Sequence, residues 1–227
     1  MKHVYLTILI IGTLLCSGIV TAEQPAKDPV DKLVFIHYKD PVEAKAFPAT
    51  DQAEFYRLLG VKWTTFPVYY KINAENPDGL TESAVTGAIQ DAFMTWDEST
   101  SANLFVYDGK TTNNTTEFNE ENSVFWGPIS NANVIAVTNI WINRRSREIV
   151  ETDIQMNSYL KWGIGDEEAF DIQNIVTHES GHVCGLGDLY NRPASELTMF
   201  GYSRLGDEKK NTLGQGDVLG LQKLYGS

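Results

Sequence analysis

A pair of histidines four residues apart, with a glutamate directly after the first, restricts this chain more than any other feature. The segment His178-Glu179-Ser180-Gly181-His182-Val183-Cys184-Gly185-Leu186-Gly187-Asp188 carries two of the four histidines in 227 residues. Side chains at i and i+4 of a helix stand one turn apart on the same face. His178 and His182 therefore offer two imidazoles to one point, the geometry a Zn2+ ion needs. Glu179 can reach a water on such an ion without binding the ion itself. A catalytic zinc takes three protein ligands and keeps one position open. Gly185 can adopt the left-handed conformation that ends a helix and turns the chain back, which would return Asp188 to the same ion as a carboxylate ligand. The competing reading is two ordinary helix histidines, and it gives the Gly and Asp spacing no role.

The rest of the chain supplies a frame for this helix. Val68-Tyr69-Tyr70-Lys71-Ile72 is a β-branched and aromatic strand. Pro77-Asp78-Gly79 is turn chemistry, and Thr81 then caps a helix. Val85, Ala88, Ile89, Ala92, Phe93 and Trp96 form the helix's single apolar face, read as core and not as a cofactor site. Leu104 to Tyr107, Val134 to Thr138 and Ile149 to Met156 are strand-like. Asp171 can cap a second helix running through His182. Strand, helix, several strands, helix implies an α+β domain with a mixed sheet.

At the N-terminus Lys2, the apolar run Val4 to Leu15 and Val20-Thr21-Ala22 read as a signal peptide over residues 1–22. An uncleaved anchor and a lipid-modified Cys16 are the alternatives. Residues 23–60 read as a propeptide or linker, with Leu33 to Ile36 able to form one strand, and 61–227 as the functional domain. After removal of the signal only Cys184 remains, so no intramolecular disulfide can form. Cys184 falls two residues past His182 and is read as a small buried hydrophobe. The net charge of -12 and pI near 4.7, with no basic stripe, argue against nucleic acid or an anionic membrane surface as partner. A membrane enters only if the N-terminal segment is retained. Asn113-Asn114-Thr115-Thr116 holds two overlapping glycosylation acceptors, with an ordinary solvated loop as the preferred reading.

The segment from His178 to Asp188 resembles the extended zinc motif of the metzincin peptidases, and its surroundings resemble the matrixin branch. Lys62-Trp63, the Val68 to Ile72 strand, Pro77-Asp78 and the helix ending near Trp96 match the start of a matrixin domain. Met199 in Leu197 to Tyr202 matches the methionine turn beneath the metal, and Leu213 to Gly226 matches the closing helix. The resemblance covers about residues 62–227 and implies a zincin-like fold: a twisted mixed sheet, an active-site helix, a Met-turn and a C-terminal helix. It implies catalytic Zn2+ on His178, His182 and Asp188, with Gly185, Met199 and Tyr202 in support, and Glu179 as general base on a zinc-activated water. Tyr202 as a core tyrosine is the preferred alternative to an oxyanion role. Three departures stand out. Asp188 replaces the usual third histidine, as in the snapalysin branch. No cysteine lies between residues 23 and 183 to cap the zinc. His3 and His37 are the only other histidines, so no second, structural zinc is expected. Ca2+ is possible, with no ligands assigned.

The expected activity is that of a secreted or envelope-located, monomeric zinc endopeptidase acting on protein or peptide. In the family such a substrate pairs with the sheet edge, here around Ala132 to Thr138. A non-catalytic binding or envelope protein on the same scaffold, or a zinc amidase acting on a non-protein substrate, is the alternative.

Overall fold

The computed structural model describes residues 29–41 and 54–227. Residues 1–22, read from the sequence as a signal peptide, lie outside them. No helix among the described residues is long and apolar enough to cross a membrane.

A seven-stranded mixed sheet dominates, in the order β3-β2-β4-β6-β5-β1-β9. The strands are β1 (Val30–Lys39), β2 (Val68–Ile72), β3 (Phe105–Lys110), β4 (Asn122–Gly127), β5 (Val134–Asn143), β6 (Ile149–Asn157) and β9 (Tyr202–Ser203). Strands β2, β3, β4 and β6 pair in parallel, while β5 runs antiparallel to β6. Short strands β7 (Trp162–Gly163) and β8 (Phe170–Asp171) form a separate ribbon just before the second helix. The α+β fold class expected from the sequence is the one observed.

Helix α1 (Glu82–Asp97) starts where expected, with Thr81 accepting a hydrogen bond from the Ala84 amide. All six residues of its apolar stripe are buried, and Trp96 Nε1 donates to the Thr177 carbonyl of helix α2 (Ile172–Val183). Trp63 Nε1 donates to the Val183 carbonyl at the C-terminal end of α2. Two indoles thus clamp α2, a helix buried along nearly its whole length, against its neighbours. Asp171 caps α2 by accepting from the Asn174 amide at 2.8 Å. Helix α3 (Gln215–Tyr225) closes the domain.

Three features of the packing go beyond the sequence reading. β4 was not recognisable as a strand, because its neighbours in sequence are polar loops and its parallel partners β2 and β6 lie far away in the chain. The run Leu33 to Ile36 is the middle of a ten-residue strand, β1, that pairs with β5 from Val30↔Asn143 to Tyr38↔Val134. Residues 54–60 are likewise part of the packed domain: the Leu59 amide donates to Gly185 O, and Arg57 O accepts from the Gly187 amide.

Strand β6 also buries a carboxyl. Asp153 is fully buried, paired to Ser123 Oγ on β4, with Oδ2 lacking a partner. Burial pushes its pKa from 3.8 up to about 7, and nearby Glu151 adds to the rise. Between those values the folded chain holds a proton that the unfolded chain has lost. This contribution therefore favours folding below about pH 4 and fades as pH rises to about 7. Urea midpoints measured at pH 5 and 7.5 are expected to fall between those two values in the native chain. Asp153→Asn should fall less; an equal fall would show that the carboxyl is already ionised at pH 5.

Candidate metal centre

Helix α2 delivers both histidines and the glutamate from one buried face. His178, Glu179 and His182 are each fully inaccessible to solvent. His178 Nδ1 lies 2.7 Å from the Thr198 carbonyl, and His182 Nδ1 lies 2.8 Å from the Leu186 carbonyl. A carbonyl only accepts, so both rings carry their proton on Nδ1 and turn an Nε2 lone pair toward the site. Gly185, with φ +96°, ends the helix, and a Cβ there would lie 2.5 Å from the Val61 carbonyl oxygen. The chain then reverses and brings Asp188 Oδ1 to 3.2 Å from His178 Nε2 and 3.4 Å from His182 Nε2.

These three atoms are buried and have no hydrogen-bond partner. Two lone pairs and a carboxylate oxygen facing one another repel unless a cation lies among them. Donors about 2.0–2.1 Å from a tetrahedral zinc ion stand roughly 3.3–3.4 Å apart, so the spacing here fits that ion. Burial presses the His178 pKa down to about 3, leaving the neutral ring that metal binding needs. For His182 burial acts the same way, but the Asp188 and Glu179 carboxylates outweigh it and raise the pKa. Burial alone would raise Asp188; the two imidazoles overcome it and hold the acid well below its usual range.

The support beneath is equally specific. The Met199 amide donates to Asp217 Oδ1 and the Thr198 amide to Asp217 Oδ2, so α3 fixes the turn whose Thr198 carbonyl holds His178. The Leu189 amide donates to the Met199 carbonyl and the Gly201 amide to the Leu189 carbonyl, tying the Asp188 loop to the same turn. Met199 packs against α2 at Gly181, where an added Cβ would sit 2.2 Å from Met199 Sδ and 2.7 Å from Trp96 Cζ2. Tyr202, half-buried on β9, sets its ring edgewise to Tyr190 and Phe200. Cys184 is fully buried, and burial raises its thiol pKa well above 9, as suits a small core residue.

Several residues at the site carried no recognisable signal. Thr138 Oγ1 donates to Glu179 Oε2 at 2.5 Å. His37 Nδ1 lies 2.9 Å from Glu179 Oε1, and its ring packs on His178 with centroids 4.0 Å apart. Lys210 is wholly buried, with Nζ near the Phe200 carbonyl and 3.1 Å from His37 Nε2; burial brings its pKa down to about 7. Burial first, and then the Asp188 carboxylate beside it, push the pKa of the Tyr190 hydroxyl up. The alternation of Phe35 and His37 along a strand was the one available hint, since residues two apart share a face. Burial raises Glu179 to about 7. Among the described residues, both clusters able to hold a metal lie at this site: His178, His182 and Asp188, and His37, His178 and Glu179. Among the described residues the acidic loops supply no further cluster of this kind.

Because Gly181 has no room for a methyl group, Gly181→Ala should lower stability by about 1–3 kcal/mol. Gly87→Ala, in α1 with nothing within 4 Å of the added Cβ, should be neutral or stabilising by about 0.5–1 kcal/mol. Thermal unfolding of the two variants checks this contrast; an equal response would remove the case for a tight Gly181–Met199 contact.

No curated protein sequence matches the chain. The matrixin family model matches residues 62–226, spanning β2 through α3 and including every donor atom on α2 and its following loop. The match covers most of the chain, and the chain belongs to the matrixin family of metallopeptidases.

Proposed function

We propose that the protein is a zinc-dependent endopeptidase in which His178, His182 and Asp188 hold the metal and Glu179 is the general base. The carrying observation is the set of three buried, partnerless donor atoms directed at one another. Zinc bound there would acidify its water to a pKa of about 7 and polarise the scissile carbonyl. The chain's own contributions are separable. Thr198 and Leu186 carbonyls orient the two imidazoles. Thr138 fixes Oε2 of Glu179, and Oε1, on which His37 Nδ1 lies in this structure, is the atom that would take a proton from the attacking water and return it to the leaving amine. β5, whose outer edge β1 covers in this structure, would offer its main-chain groups to an extended peptide that takes that place. Met199 supports the helix from below. Tyr202 lines the path of such a peptide on β9, and no separate oxyanion role is assigned to it.

We also propose that the chain is exported, on the strength of Lys2, the apolar Val4 to Leu15 run and Val20-Thr21-Ala22. A non-catalytic scaffold would have no need for a glutamate placed beside the donor set, and Glu179 favours the enzyme reading.

Glu179→Ala should keep one zinc per chain and lower peptide hydrolysis by about 10²–10⁴-fold. Asp188→Ala should instead lose the metal under mild chelation. Metal analysis alongside cleavage of a quenched fluorescent peptide separates the two. Undiminished hydrolysis by Glu179→Ala would overturn the assignment of the base, and unchanged zinc retention in Asp188→Ala would overturn that of the third ligand.

A further inference from the structure

An extended chain crosses the site in this structure, and its course shows which side chains line that path. β1 runs antiparallel to β5 and parallel to β9, with Tyr38↔Tyr202 and Lys39↔Ser203 in register. The Lys39 amide donates to Asn133 O just before β5, and the Asp40 amide donates to Ser203 O on β9. A peptide that pairs with both strands is held to this direction and register. His37 lies against Glu179, so the residue three places further along falls where Asp40 stands.

That place is built to hold a carboxylate. Arg192 reaches Asp40 through both terminal nitrogens, Nη1 to Oδ2 and Nη2 to Oδ1, each at 3.1 Å. Arg204 Nη2 donates to Oδ2 at 2.9 Å. A planar fork set on two carboxylate oxygens tells an acid from its amide, which offers one oxygen only. The two guanidiniums come from opposite sides of the methionine turn. Arg192 opens the short 3-10 helix Arg192–Ala194, with its guanidinium 5.8 Å from the Phe200 ring, and Arg204 directly follows β9. Two nearby acids are engaged elsewhere: Asp207 accepts from the Arg204 amide, and Glu196 lies 3.6 Å from Lys209. Together these residues line a cavity of about 170 Å3.

We infer that Arg192 and Arg204 form a carboxylate-reading subsite, selecting peptides with an acidic residue three places beyond the one that faces Glu179. This rests on the peptidase reading for the cut itself, while recognition of the carboxylate does not depend on hydrolysis. A neutral residue at that place would leave two positive groups side by side with no anion between them. Their side chains are 29% and 36% exposed, so water makes good part of the loss. Discrimination of about tenfold is expected, well short of the roughly 10⁴-fold of a site whose polar groups are fully buried.

C-terminally amidated peptides carrying Asp, Asn or Lys at each position in turn test this on the full-length, zinc-loaded protein. Cleavage is read as kcat/KM, with the cut bond located by mass, and binding by fluorescence anisotropy in the Glu179→Ala background. β1 competes with every peptide alike, so the readout is the ratio between peptides. At one position on the C-terminal side of the cut, Asp should exceed Asn by about tenfold in both measurements. The ratio should fall towards one in Arg192→Gln and in Arg204→Gln, and Arg204→Glu should turn the preference to Lys. Ratios near one in the native chain, an acidic preference that survives both glutamine substitutions, or binding of no peptide would overturn the subsite. An equal gain from a free C-terminus in place of Asp would assign the pair to chain ends and overturn the side-chain reading. The expected ratios in binding, with no cleavage of any peptide, would support the subsite and overturn the peptidase reading.

Discussion

Three electron-pair donors forced together in a dry interior are the constraint around which this molecule is organised. His178 Nε2, His182 Nε2 and Asp188 Oδ1 have no hydrogen-bonding partner and no water-facing surface. Each unpaired buried polar group costs about 1–3 kcal/mol, and one cation among the three would satisfy them all. The remainder of the domain keeps them in place. Trp96 and Trp63 pin α2 at its middle and its C-terminal end, Gly185 reverses the chain, and Asp217 on α3 holds the turn whose carbonyl orients His178. Each support comes from a different element, so the site and the fold are specified together.

Much of this was legible before the structure. Helical spacing sufficed to place His178 and His182 on one face, and Gly185 followed by Asp188 suggested the returning ligand. The stripe from Val85 to Trp96 and the caps Thr81 and Asp171 fell where local chemistry put them, since capping and amphipathic periodicity are properties of neighbouring residues. β4 was missed because parallel pairing is non-local. Lys210 and Asp217 were missed for a related reason. A buried lysine or aspartate looks like any surface charge until the partners that tolerate it, here Phe200 O and the Thr198 and Met199 amides, are brought together by the fold.

His37 shows the limit most plainly. Its position in a polar N-terminal stretch assigned it to a segment apart from the domain, and nothing local connected it with a helix some 140 residues away. Only the pairing of β1 with β5 carries it onto Glu179. The β5 edge, expected to be open to substrate, is covered by the chain's own strand, and the two rings of that strand lie on the two histidines of α2. Functional site and N-terminal extension are one packed unit.

X-ray absorption at the zinc edge on the full-length, zinc-loaded protein tests the central claim most directly. The donor geometry predicts two imidazole nitrogens, with the remaining ligands oxygen and none of them sulfur. Three imidazoles would contradict it by placing His37 on the metal and not on Glu179, and failure of the chain to bind zinc at all would contradict it outright.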